Sequence, residues 1–387
     1  MIFKLDIPID TEFQPPKQFR IPYQMALVLE EHIQAMLQSG IIKEESSQFP
    51  SPVFLIRKHS ANKNEQLSKE NTRFLIDLRT CNTKMKDTAF LIPRTTDILQ
   101  NLSKGKFYSE FDMRSGFFQI SIDENYQKFF SFLSPLTGRS HCYTRIPQGS
   151  VFGPKAFASF MDKLFPAEFR SFVFNFFDDT YLKTESPNPK DHLEHLKRFF
   201  ARLKQFNIKL STSKTLLFKG SIPVLGFIVS KDKIQPQISK LDAIEKLERP
   251  ENISELRSQL GLFNYYRCFY FNFHDLIAPL TKLLKKNTEW KWGEEQEFGW
   301  LYLVGQITKK DSEIVVHMAD LEKDFNLFVD SSKNGVGAIL CQEKADGRMG
   351  IVCSFSRVFS KSFSKQPPIV QKLYGLYETL KSLQIQY

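Results

Sequence analysis

Phe174-Asn175-Phe176-Phe177-Asp178-Asp179-Thr180-Tyr181-Leu182 sets two adjacent carboxylates in the middle of an apolar stretch. Apolar flanks around an acidic centre predict a hairpin over residues 171–182, with Asp178 and Asp179 at its turn. Alone, the pair reads either as a divalent-metal site, because hard Mg²⁺ prefers carboxylate oxygens, or as an acidic, solvated turn. A third carboxylate narrows the choice. Residues 106–111 read as a strand that ends at Asp112. An aspartate at a strand end, followed later in the chain by an Asp-Asp hairpin, is how a two-metal phosphoryl-transfer site is assembled. The paired ions clamp the attacking and leaving oxygens of an in-line displacement.

Around this centre lie 387 residues, enough for two to three domains of about 150 residues each. Hydrophobic residues make up 42% and charged residues 25%, which excludes disorder over the whole chain and a collagen-like composition. Lys plus Arg is 53 against 43 for Asp plus Glu, a formal charge of +10. That excess fits a polyanionic partner, nucleic acid first, as well as a merely basic soluble protein. The five cysteines are scattered with no Cys-x-x-Cys, which argues against a disulfide framework or a cysteine zinc site and for a reducing compartment. With no signal peptide and no run of about 18 apolar residues, an intracellular, soluble protein is expected.

Periodicity predicts helices at 24–38, 93–103, 150–165, 189–206, 238–247, 254–270 and 369–385. Strands are expected at 50–57 and 73–77, joined by a polar, lysine-rich loop at 58–72, and at 325–329 paired with 336–341. In the 189–206 helix, Leu193, Leu196, Phe200, Leu203 and Phe206 form the apolar stripe, and His192 and His195 read as part of a solvated face rather than as zinc ligands. Strands and helices mix without strict βαβ alternation, so residues 1–230 read as α+β.

With these segments in order, the chain resembles the reverse transcriptase of gypsy-class LTR retrotransposons and retroviruses, from about residue 18 onward. Ser51-Pro52-Val53 with Arg73-Phe-Leu-Ile-Asp-Leu-Arg-Thr-Cys-Asn82 resembles the fingers. Phe111-Asp112-Met113-Arg114-Ser115-Gly116-Phe117 is similar to the first palm motif, and Ile146-Pro147-Gln148-Gly149 with Gly153-Pro154-Lys155-Ala156-Phe157 to the second. Phe176-Phe177-Asp178-Asp179 is similar to the third. Leu210-Ser-Thr-Ser-Lys214 and Val224-Leu225-Gly226-Phe227 resemble the next two, and Leu256 to Arg267 the segment after the palm.

The resemblance implies a right-hand polymerase with fingers and palm in 1–232, a thumb or connection in 233–320 and a truncated RNase H-like α/β fragment in 321–387. It implies that Asp112, Asp178 and Asp179 hold two Mg²⁺ ions (Mn²⁺ being the alternative), with the Met113 carbonyl assisting. Phe117 is implied as a steric gate against a ribose 2′-OH, or otherwise as a core phenylalanine. Arg73, with Arg57 or Lys58 at the fingertip, would meet the dNTP triphosphate, a lone Lys58 being equally readable as surface charge. Gln148 would line the nucleotide pocket and Lys214 would protonate the leaving pyrophosphate. Residues 224–227 would support the primer 3′ end, or form an ordinary buried strand.

Two departures stand out. Phe176 and Phe177 replace the family's usual Tyr and a smaller residue. In Phe328-Val329-Asp330-Ser331-Ser332-Lys333-Asn334-Gly335, Asp330 corresponds to the first RNase H ligand, but Lys372 falls where the next ligand, a glutamate, belongs. Glu378 stands more than one 3.6-residue turn away and on another face. The expected activity is therefore RNA-directed DNA polymerisation on an RNA or DNA template-primer, with RNase H activity lost. The alternative is a silent retroelement remnant that only binds nucleic acid. No membrane partner is expected, and the cytoplasm, a virus-like particle or the nucleus is the expected location. The chain reads as the section of a Pol polyprotein that starts after the protease and stops inside RNase H.

Overall fold

The computed structural model describes residues 2–3, 14–58, 65–85, 94–270, 273–308, 316–317, 323–332, 335–344, 347–359 and 363–384. The expected start of a helix at Pro93, Lys333 and Asn334, and the chain end at Tyr387 lie outside them. The chain divides into two compact units. One comprises residues 1–94, 108–184 and 188–218, the other residues 95–107, 185–187 and 219–387.

In the first unit, the expected hairpin forms, but its turn is one residue earlier than expected and Asp179 belongs to the strand. Val173–Phe176 pairs antiparallel with Asp179–Thr184, and Phe176 faces Asp179, so Phe177 and Asp178 alone make the turn. Phe107–Asp112 lies beside Asp179–Thr184, and Leu216–Lys219 completes a four-stranded sheet. The second predicted hairpin also forms, Val53–Arg57 against Thr72–Ile76. The expected strand at 50–57 is broken, however: Pro50–Ser51 pairs separately with Ser131–Leu133 in another sheet. Pro52 between them lacks an N–H for the ladder, and its carbonyl accepts instead from Asp77 N at 2.8 Å.

Helix Pro189–Gln205 starts as its sequence dictates. The Asn188 side chain accepts from Lys190 N, Pro189 takes the first turn, Asp191 sits at the positive end, and Arg202 and Lys204 sit at the negative end. The expected stripe needs correction. The buried face is His192, Leu196, Phe199 and Leu203, while Leu193 and Phe200 are exposed. The period is helical but the face is rotated by one residue, because Phe199 stacks on Phe111 of the neighbouring strand, centroids 4.5 Å apart. His192 is not on a solvated face. It is fully buried, 2.8 Å from both Ser109 Oγ and Thr184 Oγ1. Hydrogen-bonded on both ring nitrogens, an imidazole is a tolerable core residue. The rest of this core is largely aromatic: Phe111, Phe129, Phe130, Phe132, Phe157 and Phe172 are all buried.

In the second unit, Ser221–Val224, Phe227–Ser230, Lys233–Pro236 and Val316–His317 form an antiparallel sheet in that order. Residues 224–227 are therefore not a strand: Val224 faces Phe227 across a two-residue turn at Leu225 and Gly226, both at positive φ (48° and 81°). Helices Ile238–Glu245 and Ile253–Tyr265 follow. Two further helices, Phe273–Lys282 and Glu294–Thr308, are not expected from the sequence. The first carries Pro279 within it, a breaker signal. The second is apolar on more than one side, with Phe298, Leu301 and Tyr302 exposed, so no single stripe marks it.

A three-stranded antiparallel sheet, Asn326–Ser331, Gly335–Glu343 and Met349–Val358, carries helix Pro368–Gln384 on one face. The helix docks closely at Gly375, where a Cβ would collide with Ser331 Oγ.

Candidate active site

Strand pairing puts Asp112, the last residue of Phe107–Asp112, beside the start of Asp179–Thr184. Met113 N donates to Asp178 O at 3.2 Å, which ties the two acidic segments through the backbone. Ser211 N donates to Asp112 O at 2.9 Å and brings up the loop that carries Lys214. The Lys214 ammonium lies 2.8 Å from Asp112 Oδ2. Thus Asp112, Met113, Asp178, Asp179 and Lys214 are gathered as the sequence suggested.

Two glycines make room for this. A Cβ at Gly116 would lie 2.8 Å from the Phe157 ring and 3.0 Å from Asp178 Oδ1. A Cβ at Gly153 would lie 3.0 Å from the Phe117 ring. Phe117 is half-buried and tilts against Phe157, centroids 5.5 Å apart. The turn residue Phe177 has φ 49°, costly for an aromatic residue.

The electrostatics are those of anions short of cations. Burial first, then Asp112 and Asp179, push the Asp178 carboxyl above its ordinary range. Burial and Asp112 raise Asp179, with a hydrogen bond from Tyr181 opposing. Glu110, two residues before Asp112, is pushed up to about 7 by burial, Asp179 and Asp112. Lys214 is raised, chiefly by its hydrogen bond to Asp112. Asp178 Oδ1 is buried with no hydrogen-bond partner among the described residues. Carboxylate oxygens, one of them unclaimed, are the donor set a hard divalent cation takes. Among the described residues, no three such side chains form a ready-made cage, and Lys214 holds Asp112.

The other expected residues stand elsewhere. Arg73 is exposed on Thr72–Ile76, opposite Ile56. Lys58 follows the partner strand, and its ammonium donates to Glu70 O at 2.5 Å. Gln148 is exposed at the turn before Gly149, which has φ 92°. No hydrogen bond or ion pair among the described residues joins Arg73, Lys58 or Gln148 to the carboxylates.

Asn82 has a role that the sequence does not reveal. Its amide donates to Gly149 O at 2.9 Å and accepts from Val151 N at 3.1 Å, bracketing the Gln148 turn. The same holds for Tyr265 and Tyr266. Their hydroxyls donate to Leu225 O and Gly226 O, the tip of the 224–227 hairpin. Paired hydrogen bonds between residues far apart in sequence leave no local pattern to read.

In the second unit, Asp330 is exposed on its strand and Lys372 on its helix. Glu378 is buried in an ion pair with Arg357 and accepts from the Tyr374 hydroxyl.

Comparison with known proteins agrees with this geometry. Residues 56–229 match the family described as reverse transcriptase (RNA-dependent DNA polymerase). Residues 292–385 match the RNase H-like domain found in reverse transcriptase. The chain is 29% identical over 361 residues to the retrovirus-related Pol polyprotein from transposon 412 of Drosophila melanogaster, covering 93% of this chain and 28% of that protein. It is 30% identical over 322 residues to the corresponding polyprotein from transposon gypsy of the same organism, covering 80% of this chain and 30% of that protein. The chain thus spans less than a third of these relatives. The foamy viral protease-reverse transcriptase solved with double-stranded DNA superposes with a TM-score of 0.81 at 23% identity, covering 99% of this chain and 64% of that one. Reverse transcriptases generally use divalent metal ions. Among the described residues, no helix is long and apolar enough to cross a membrane. The chain therefore carries a reverse transcriptase domain followed by an RNase H-like domain of the kind found in reverse transcriptases, and it is a relative of the Pol polyproteins of gypsy-type retrotransposons.

Proposed function

We propose that this chain is an RNA-directed DNA polymerase that adds dNTPs to the 3′ end of a primer on an RNA or DNA template. The observation that carries the reading is the carboxylate cluster at the junction of two adjacent strands, with Asp178 Oδ1 unclaimed and Asp178 and Asp179 both raised by burial and then by the nearby Asp112. Asp112, Asp178 and Asp179, with the Met113 carbonyl, are the residues that would hold Mg²⁺ or Mn²⁺. Divalent cations bound there would activate the primer hydroxyl and neutralise charge on the phosphates.

The remaining roles belong to the chain's own side chains. Phe117, backed by Phe157 and given space by Gly153, would exclude a ribose 2′-OH. Arg73 and Lys58, on the lysine-rich hairpin, would meet the triphosphate, where a guanidinium fork suits phosphate oxygens. Gln148, on the turn bracketed by Asn82, would contact the nucleotide. Lys214, kept charged by Asp112, would supply the proton to pyrophosphate. Residues 1–232 serve on this reading as fingers and palm, 233–320 as thumb or connection and 321–387 as an RNase H-like remnant. That remnant would be inactive, since Lys372 repels cations and Glu378 is committed to Arg357. An intracellular setting (cytoplasm, virus-like particle or nucleus) follows from the same reading.

One observation favours the rival reading, a silent nucleic-acid binder: the Lys214 ammonium already neutralises Asp112. Primer extension on an RNA template with dNTPs and Mg²⁺ separates the two. Extension that disappears in the Asp178→Asn, Asp179→Asn double variant supports the polymerase. A folded wild type that binds template-primer without extending it supports the remnant.

A further inference from the structure

The first unit contains a cavity of about 570 Å³ that the proposed polymerase roles leave unused. It lies where the end of helix Tyr23–Gln38, the 3₁₀ turn Gly116–Gln119, helix Phe152–Leu164 and the loop at 206–209 meet. None of Arg73, Lys58, Gln148, Phe117 and Lys214 lines it.

Its charge is one-sided. Arg114, Arg145 and Lys209 line the cavity, and no acidic side chain does. Among the described residues, neither the Arg114 guanidinium nor the Lys209 ammonium has a carboxylate partner. The two are also locked side by side. Arg114 N donates to Lys209 O at 3.0 Å. The Gln119 amide donates to Arg114 O at 2.7 Å and to Lys209 O at 2.9 Å, and accepts from Lys209 N at 2.8 Å. Arg145 is steadied by Ser121 Oγ, 2.5 Å from its guanidinium.

Three hydrogen bonds from one glutamine thus fix the backbones that carry two like charges. Like charges held together repel, and an arrangement that stiffens them without neutralising them is suited to an anion supplied from outside. Phe118, Phe160 and Phe206 also line the cavity, Phe160 buried and Phe206 with the Arg202 guanidinium 4.5 Å over its ring. A flat ring fits against such side chains.

We propose that this cavity binds a nucleoside polyphosphate, its phosphates on Arg114, Arg145 and Lys209 and its base against the phenylalanines. Its lining side chains differ from those proposed above for the dNTP, although Arg114 lies two residues from Asp112, and binding here does not depend on polymerase activity.

Calorimetric titration of the full chain, without template-primer and in EDTA, tests it with ATP, inorganic tripolyphosphate and adenosine as probes. The expected result is saturable ATP binding, weaker binding of tripolyphosphate and of adenosine, and the same affinity in the Asp178→Asn, Asp179→Asn variant. Arg114→Ala with Lys209→Ala should weaken ATP binding by about tenfold or more, given the strength of charge-assisted phosphate contacts. Both residues are exposed, so the melting temperature should hold. If it does not, the single change Lys209→Glu replaces the pair and should weaken ATP binding by at least as much. Absence of saturable binding, or ATP affinity untouched by these changes, overturns the proposal. Binding lost in the aspartate variant but kept in the Arg114/Lys209 variant assigns the ligand to the carboxylate site and overturns it too. Tripolyphosphate binding as tightly as ATP overturns the role given to the phenylalanines.

Discussion

Gly116 has no room for a side chain: the space a Cβ needs is taken by the Phe157 ring and by the unclaimed oxygen of Asp178. Gly116→Ala should therefore push the carboxylate and the ring apart. We expect a destabilisation of about 1–3 kcal/mol together with a loss of primer extension larger than the stability change explains, measured by urea unfolding and by extension assays on the folded variant. Loss of a proposed metal ligand acts without such strain, and Asp178→Asn should reduce extension by at least about 100-fold, beyond what outer-sphere changes cost, with the fold intact by circular dichroism. At Phe117 the expected change is in selectivity. Trimming it to Val should raise the ratio of ribonucleotide to deoxyribonucleotide incorporation, read from competing NTP and dNTP extension on one primer; an unchanged ratio would make Phe117 a core residue only.

At the scale of elements, helix Pro189–Gln205 is held to the sheet partly through a polar contact in the core. His192 bridges Ser109 and Thr184, and Thr184 also lies 2.8 Å from His195 Nδ1. Burial, then His195, lowers the His192 pKa to about 4. The unfolded chain, with an ordinary value near 6.5, takes up this proton first. The stability tied to neutral His192 is thus complete above about pH 6.5 and is lost as the pH falls toward 4, a change on the order of 3 kcal/mol. The urea midpoint should fall across that window in the wild type and less steeply in His192→Phe. The helix's two ends and its period are plain in the sequence, yet its buried face is not. Histidine reads as polar until the hydroxyls that satisfy it are known, and those come from residues 83 and 8 positions away.

For the whole molecule, the +10 charge bears on association rather than fold. Template-primer binding should weaken steeply as salt rises, with log affinity linear in log salt and little dependence on sequence. A flat salt response would argue against a nucleic-acid partner. The RNase H-like domain should leave an RNA–DNA hybrid uncut under conditions that support extension. Restoring a carboxylate by Lys372→Glu supplies one ligand on the helix beside Asp330 and leaves Glu378 bound to Arg357. Hydrolysis by the unaltered chain would remove the case for an inactive remnant.

Asp112, the hairpin that carries Asp178 and Asp179 and its strands could be read from the sequence, though the turn falls one residue earlier, at Phe177 and Asp178, because strand ends and tight turns are set by local alternation and by residues near one another in the chain. The same holds for the α+β class and for the reverse transcriptase resemblance, which rests on short motifs in order. Only the tertiary structure decided what those residues touch. It paired Lys214 with Asp112, left an Asp178 oxygen unclaimed against Gly116, set Asn82 across the Gln148 turn and clamped the 224–227 hairpin with Tyr265 and Tyr266. Each of these joins segments tens of residues apart, and such contacts are chosen by packing of the whole core, not by any local pattern.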